Sequence, residues 1–112
     1  MSTRTVIVWT NNSGAFTYER SLRAAVRGIE IDIGTLDTPD IAITDGVYST
    51  NIFTKAAVAA DTAVQPGIQL ADNDGTPLTG AFGPPVVMGT LKVVIAGGGD
   101  TRTGRIHFLL ET

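Results

Sequence analysis

Residues 89–112 read GTLKVVIAGGGDTRTGRIHFLLET, and this closing stretch decides the fold class. Leu91, Val93 and Ile95 alternate on one face of a first extended run, and Ile106, Phe108 and Leu110 do the same in a second. Two runs buried on one side and separated by Gly97-Gly98-Gly99 predict a C-terminal β-hairpin, with residues 91–96 paired to the last strand. Glycine-rich loops can also cradle phosphate, but a Walker loop needs a lysine, a hydroxyl and then a helix, and a dinucleotide fingerprint needs a helix as well. Here the glycines lead into another strand, so the segment is architecture.

Working outward, the rest of the chain continues the theme. Residues 3–10 are β-branched and aromatic, and Asn11-Asn12-Ser13-Gly14 has turn composition. Residues 15–21, with Phe16 and Tyr18 in alternation, are the expected hairpin partner of that first strand. The next run changes phase. Leu22, Ala24 and Val26 occupy even positions, whereas Ile29, Ile31 and Ile33 occupy odd ones, so an extra residue is needed and Arg27-Gly28 is the expected β-bulge. Residues 36–40 read as a turn in which Pro39 ends the ladder. Residues 41–44 are a short strand, Asp45-Gly46 a hairpin turn, and residues 47–54 the returning strand. The alanine-rich residues 55–63 are too few for a stable helix and read as a loop with at most one helical turn. Residues 67–71 form a strand, residues 72–77 a turn, and residues 78–88, with Gly80, Gly83, Pro84 and Pro85, an irregular excursion. About eight short strands without a helix predict an all-β chain: one antiparallel β-sandwich or jelly-roll-like domain over residues 1–112.

The composition narrows the function. The 112 residues suit one domain. Charged residues are only 17%, against roughly 25% in ordinary soluble domains. A small domain so short of charge is expected to cover part of its surface with other subunits, the alternative being a neutral, threonine-rich surface. The formal charge of −3 argues against nucleic acid as a partner, since a binder needs a basic stripe to displace counterions. With no cysteine, disulfides, zinc–thiolate sites and thiol nucleophiles are excluded. The apolar run Val6-Ile7-Val8-Trp9 is shorter than a signal-peptide core, and nothing approaches a membrane span, so synthesis in the cytoplasm and no membrane partner are expected.

Candidate sites are few. His107 is the single histidine and lies in phase with Arg105, Leu109 and Glu111, away from the apolar face. It reads as a surface or interface residue, because a transition-metal site would need further ligands that the spacing does not place beside it. No Gly-x-Ser-x-Gly elbow is present, and the chain reads as no enzyme. Asp37, Asp40 and Asp45 are expected to gather at one end of a strand pair, and Asp72 and Asp74 share a loop. Calcium favours oxygen-rich loops, yet the EF-hand spacing is absent and Asp before Gly is an ordinary turn residue. No cofactor is expected, and calcium in an Asp-rich loop is left open. Asn11-Asn12-Ser13 matches a glycosylation sequon and reads as a turn. Trp9 fits the core or a subunit contact. Prolines cannot join a central ladder, so Phe82, Pro84, Pro85, Val86, Val87 and Met88 are expected at an edge or off the body of the domain, as a docking segment or a loop packed back on its own sandwich.

The run Gly28-Ile29-Glu30-Ile31-Asp32-Ile33-Gly34-Thr35-Leu36-Asp37-Thr38-Pro39-Asp40-Ile41-Ala42-Ile43-Thr44-Asp45-Gly46 precedes the middle hairpin. Pro66-Gly67-Ile68-Gln69-Leu70-Ala71-Asp72-Asn73-Asp74-Gly75-Thr76-Pro77-Leu78-Thr79-Gly80-Ala81-Phe82 follows it, and then the closing strands. This order resembles a family of small all-β proteins encoded among the head and tail structural genes of tailed bacteriophages. The resemblance implies a virion structural role without saying which part of the particle. Low charge and the missing catalytic constellation match a head decoration or cement protein on the major capsid protein most concretely. Short length, low charge and the excursion before Met88 predict a homo-oligomer, and the resemblance to decoration proteins favours a trimer. A head–tail junction or tail component, or a carbohydrate-binding β-sandwich, are the alternatives.

Overall fold

The computed structural model describes residues 2–11, 14–71, 74 and 76–111. In chain order the strands are β1 (Ser2–Thr10), β2 (Ala15–Ser21), β3 (Ala24–Asp32), β4 (Asp37–Asp45), β5 (Asn51–Lys55), β6 (Thr62–Val64), β7 (Ile68–Ala71), β8 (Pro77–Gly83), β9 (Val86–Val87), β10 (Thr90–Gly98) and β11 (Thr103–Glu111). No helix occurs among the described residues, and none therefore crosses a membrane.

The first sheet has the order β1-β11-β3-β6, with β9 also paired to β3; the second has the order β2-β10-β4-β5. Setting aside the small strands β7, β8 and β9, β10 and β11 become the seventh and eighth strands. The two sheets then run 1-8-3-6 and 2-7-4-5, which is jelly-roll topology. Of the two architectures the sequence left open, a plain sandwich or a jelly roll, the pairing selects the jelly roll. Inward side chains of both sheets form one core, including Val26, Ile31, Ile41, Ile43, Leu91, Val93, Ile95, Ile106 and Phe108.

The expected C-terminal hairpin is not formed. β10 pairs with β2 and β4, whereas β11 pairs with β1 and β3 in the opposite sheet. Alternation reports which face of a strand is buried, and two strands facing each other across a core satisfy it as well as two neighbours do. The connection decides the matter. Gly97, Gly98 and Gly99 have φ of 76°, 86° and 99°, conformations open to glycine, and they carry the chain over the core into the other sheet. The same correction applies to β1 and β2, which also lie in different sheets; there Trp9 and Phe16 stack between them with centroids 5.7 Å apart.

Other expectations fare better. Leu109 pairs with Gly28 and Leu110 with Val26, so Arg27 is the extra residue of a bulge at the expected place. β4 and β5 form the hairpin opened by Asp45-Gly46. Pro39, however, does not end a ladder: β4 starts at Asp37, and Pro39 sits where the β10 pairing skips from Ala96 to Gly98. A proline is tolerated there because that irregular stretch asks it for no ladder N–H. Residues 78–83 are also more regular than expected, since β8 pairs with β7. Gly104, opposite Trp9, lets the core pack tightly: a Cβ there would lie 2.9 Å from Trp9 Cζ2 and 2.8 Å from Leu36 Cδ1.

Candidate interaction surfaces

Among the described residues, the buried polar side chains are Asn11 and Asp45, one at each end of the sandwich. Asn11 closes the arch end. Its Nδ2 donates to the carbonyls of Gly97 (2.8 Å) and Gly99 (3.1 Å), and its Oδ1 accepts the Trp9 indole N–H at 3.1 Å. The two arches are thereby tied to each other. This is the asparagine of the sequon pattern, and its amide is committed inside the protein.

Asp45 organises the other end. Its Oδ1 accepts the backbone N–H groups of Val47 (3.0 Å), Tyr48 (3.3 Å) and Thr90 (3.2 Å). Its Oδ2 accepts those of Met88 (2.9 Å) and Gly89 (3.2 Å). Burial by itself would raise this carboxyl; the backbone N–H bonds from Met88, Val47, Thr90 and Tyr48 outweigh it and hold it far below the usual carboxylate range. The loop after β4 and the loop before β10 are thus fixed on one carboxylate. Between them they present Val47, Tyr48 and Met88, which are 61%, 59% and 52% exposed. An apolar tip held rigid by a buried charge is a surface prepared for contact, since little ordering entropy remains to be lost on docking.

Replacing Asp45 by Asn turns one carboxylate oxygen into an N–H donor that faces backbone donors, either toward Met88 and Gly89 or toward the other three. The variant should melt at lower temperature and hold the tip less firmly. The pH dependence has a definite sign. A folded carboxyl lowered below its unfolded value of about 3.9 stabilises fully above that pH and loses the contribution progressively as the pH falls below it. Chemical denaturation at pH 6 and pH 2.5 should therefore show a larger acid loss in the wild type than in Asp45→Asn; equal losses would contradict it.

A second surface lies on the outer face of the first sheet. The bulge sets Gly28, which has no side chain, opposite Leu109, leaving a shallow groove of about 550 Å³ lined by Arg4, Glu30, Val64, Gln65, His107 and Leu109 among others. Arg4 Nη2 lies 3.1 Å from His107 Nδ1. A guanidinium only donates, so this geometry fits a neutral ring with its proton on Nε2. Beyond Leu109 a second depression reaches Phe82, Pro84 and the pair Arg27–Glu111, whose Nε–Oε2 distance is 3.0 Å. Among the described residues that line this groove beside His107, none carries a hydroxyl or a thiol.

The residues expected at an interface divide into two groups. Phe82 (65%), Val86 (46%) and Met88 (52%) are exposed, Pro84 is half-buried and His107 lies in the groove. Trp9 and Val87 are buried and belong to the core, and Pro85 is buried just before Val87 in the chain, at the first sheet's edge. Pro85 lacks a donor but its carbonyl accepts the Val26 N–H at 2.8 Å, and Val87 pairs with Ala24 as β9; this segment is built into the first sheet's edge while its other side chains face out. The expected aspartate cluster is also corrected: Asp37 and Asp45 stand at opposite ends of β4, and Asp40 accepts the Ala57 N–H at 2.8 Å. Asp74 is exposed in a turn and Asp72 lies outside the described residues. Among the described residues no three potential ligand side chains converge on a metal-sized site. Val47 and Tyr48 were hidden from sequence reading because they continue an apparent strand.

No family model, curated protein or solved structure matches this chain.

Proposed function

We propose that this protein is a structural component of a tailed-bacteriophage particle, most concretely a head decoration or cement protein that docks on the major capsid protein and has no enzymatic role. It would be made in the host cytoplasm and reside in the virion, as a homo-oligomer. The observation that carries the reading is the tip: an exposed apolar trio, Val47, Tyr48 and Met88, locked in place by Asp45. Contact surfaces of this kind need a stable position and no chemistry, and Tyr and Met are enriched where proteins meet. Jelly rolls serve viral capsids, lectins and cupins alike, so the fold supports the proposal only by analogy. A cupin-type site needs ligands inside the barrel, and among the described residues the buried polar side chains, Asn11 and Asp45, stand at its two ends. A sugar platform wants exposed aromatics; the one tryptophan is buried, and Tyr48 and Phe82 are the exposed aromatics among the described residues, so glycan binding is the competing outcome.

The test is incorporation. Tyr48→Ser combined with Met88→Ser changes exposed side chains, so folding stability should stay within about 0.5 kcal/mol of wild type. The variant should nevertheless fail to co-purify with phage heads to which the wild type binds. Copy number separates the decoration role from the junction role, since decoration covers the whole head and a junction holds a single ring. Binding of a glycan array in place of heads would overturn the proposal.

A further inference from the structure

The sandwich is open on one side. β1 and β2 are the edge strands of their sheets and are joined by one arch, so both edges lie on that side. The other edges are blunted. β6 has three residues and β9 two, and β5 has five residues and a bulge where its pairing skips between Ile43 and Thr44. Native sheets protect their edges in this way, by short strands and bulges. β1 carries no such protection: its nine residues pair without interruption to β11 and, among the described residues, to no other strand. It contains no proline, lysine or inward charge, its one charge is the outward Arg4 near its start, and its outward side chains Val6 and Val8 are 47% and 69% exposed. On the same open side Phe16 and Tyr18 of β2 are only half-buried although they pack on the core.

We infer that β1 is the seam through which two copies of this chain join, antiparallel and about a two-fold axis, extending the first sheet from one protomer into its partner. The unpaired ladder calls for an extended strand, and the side chains select a second β1. When Ile7 lies opposite the partner's Ile7, Val6 meets the partner's Val8 and Val8 meets the partner's Val6. Arg4 then meets the partner's Thr10. The flanking rows follow from the β1–β11 register, in which Val6 neighbours His107, Val8 neighbours Arg105 and Arg4 neighbours Leu109; this alignment sets no two like charges directly opposite across the seam, an arrangement that would oppose pairing. Shifting the centre by one residue in either direction opposes Val8 to the partner's Arg4, or Val6 to the partner's Thr10, and breaks the apolar match. The pairing uses one patch twice and closes on itself. It therefore favours a two-fold dimer over the trimer that the family resemblance implies, and it stands or falls independently of the virion role.

The chain has no cysteine, so introduced cysteines report cleanly. Val6→Cys and Val8→Cys proteins, mixed and mildly oxidised, should give mainly the mixed disulfide. Directly opposed residues fall within disulfide reach, whereas Val6 and the partner's Val6 are only diagonal neighbours. Wild-type protein should sediment as a dimer, and Val8→Lys should sediment as a monomer that still unfolds in one cooperative transition. A wild type that is monomeric at about 100 μM, well above the Kd of a specific dimer, would overturn the inference. So would a Val8→Lys dimer, or equal cross-linking in mixed and unmixed samples.

Discussion

A chain ending after Gly104 is expected to show no cooperative unfolding transition. β11 lies between β1 and β3 in the first sheet, so losing residues 105–112 removes a central strand and leaves β1 without its partner. Ile106 and Phe108 are fully buried and Leu110 is 5% exposed. Each contributes about 2 kcal/mol or more by burial, together half or more of the 5–15 kcal/mol typical of a small domain. The backbone groups of β1 and β3 that β11 satisfies would face the open core as well. Calorimetry and near-ultraviolet circular dichroism should therefore show no melting peak and no fixed tertiary signal. A truncated protein with a sharp transition would mean that β1 can close on β3 directly.

The second large effect is expected at Asn11. Asn11→Ala strands the Gly97 and Gly99 carbonyls and the Trp9 indole N–H, three groups that a single amide satisfies. Leaving buried polar groups unpaired costs about 1–3 kcal/mol each, and partial access of water lowers the sum; about 3 kcal/mol overall is the expected loss. The backbone bonds Asn11 N–H to Arg102 O and Thr101 N–H to Asn11 O remain, so the arches should stay in register while the end loosens. Urea denaturation should give a lower midpoint with an unchanged slope. Asn11→Asp is the sharper control, because a carboxylate can accept from Trp9 but cannot donate to the two carbonyls. If it matches wild type, the carbonyl bonds carry none of the stability.

What the sequence discloses here and what it conceals have a common cause. Local signals report local facts. The parity change at Arg27-Gly28 marks the bulge, and Asp45-Gly46 marks the β4–β5 connection, because each depends on neighbouring residues alone. Strand partnership depends on the other sheet. The alternation in Leu91, Val93, Ile95 and in Ile106, Phe108, Leu110 identifies inward faces correctly and is silent on whether those faces lie side by side or across from each other. The surfaces follow the same division. Phe82 and Met88 could be read as outward because proline excludes their neighbourhood from a central ladder. Asp45 could not be read as the organiser of a contact surface, since an aspartate before glycine carries the same turn signal whether its carboxylate meets water or five backbone donors.

The distance along the chain between paired strands has a consequence in time. Ile7 sits opposite Ile106, so β1 has its place in the first sheet only once β11, far later in the chain, has left the ribosome. Non-local pairing of this kind places folding in the slow range for domains of this size, milliseconds to seconds. During that interval β1, with Val6 and Val8 on it, is available to any extended segment it meets. Production at high level is thus a contest between the arrival of β11 and the encounter of two unfinished chains, and slowing synthesis or lowering temperature should shift yield toward folded protein.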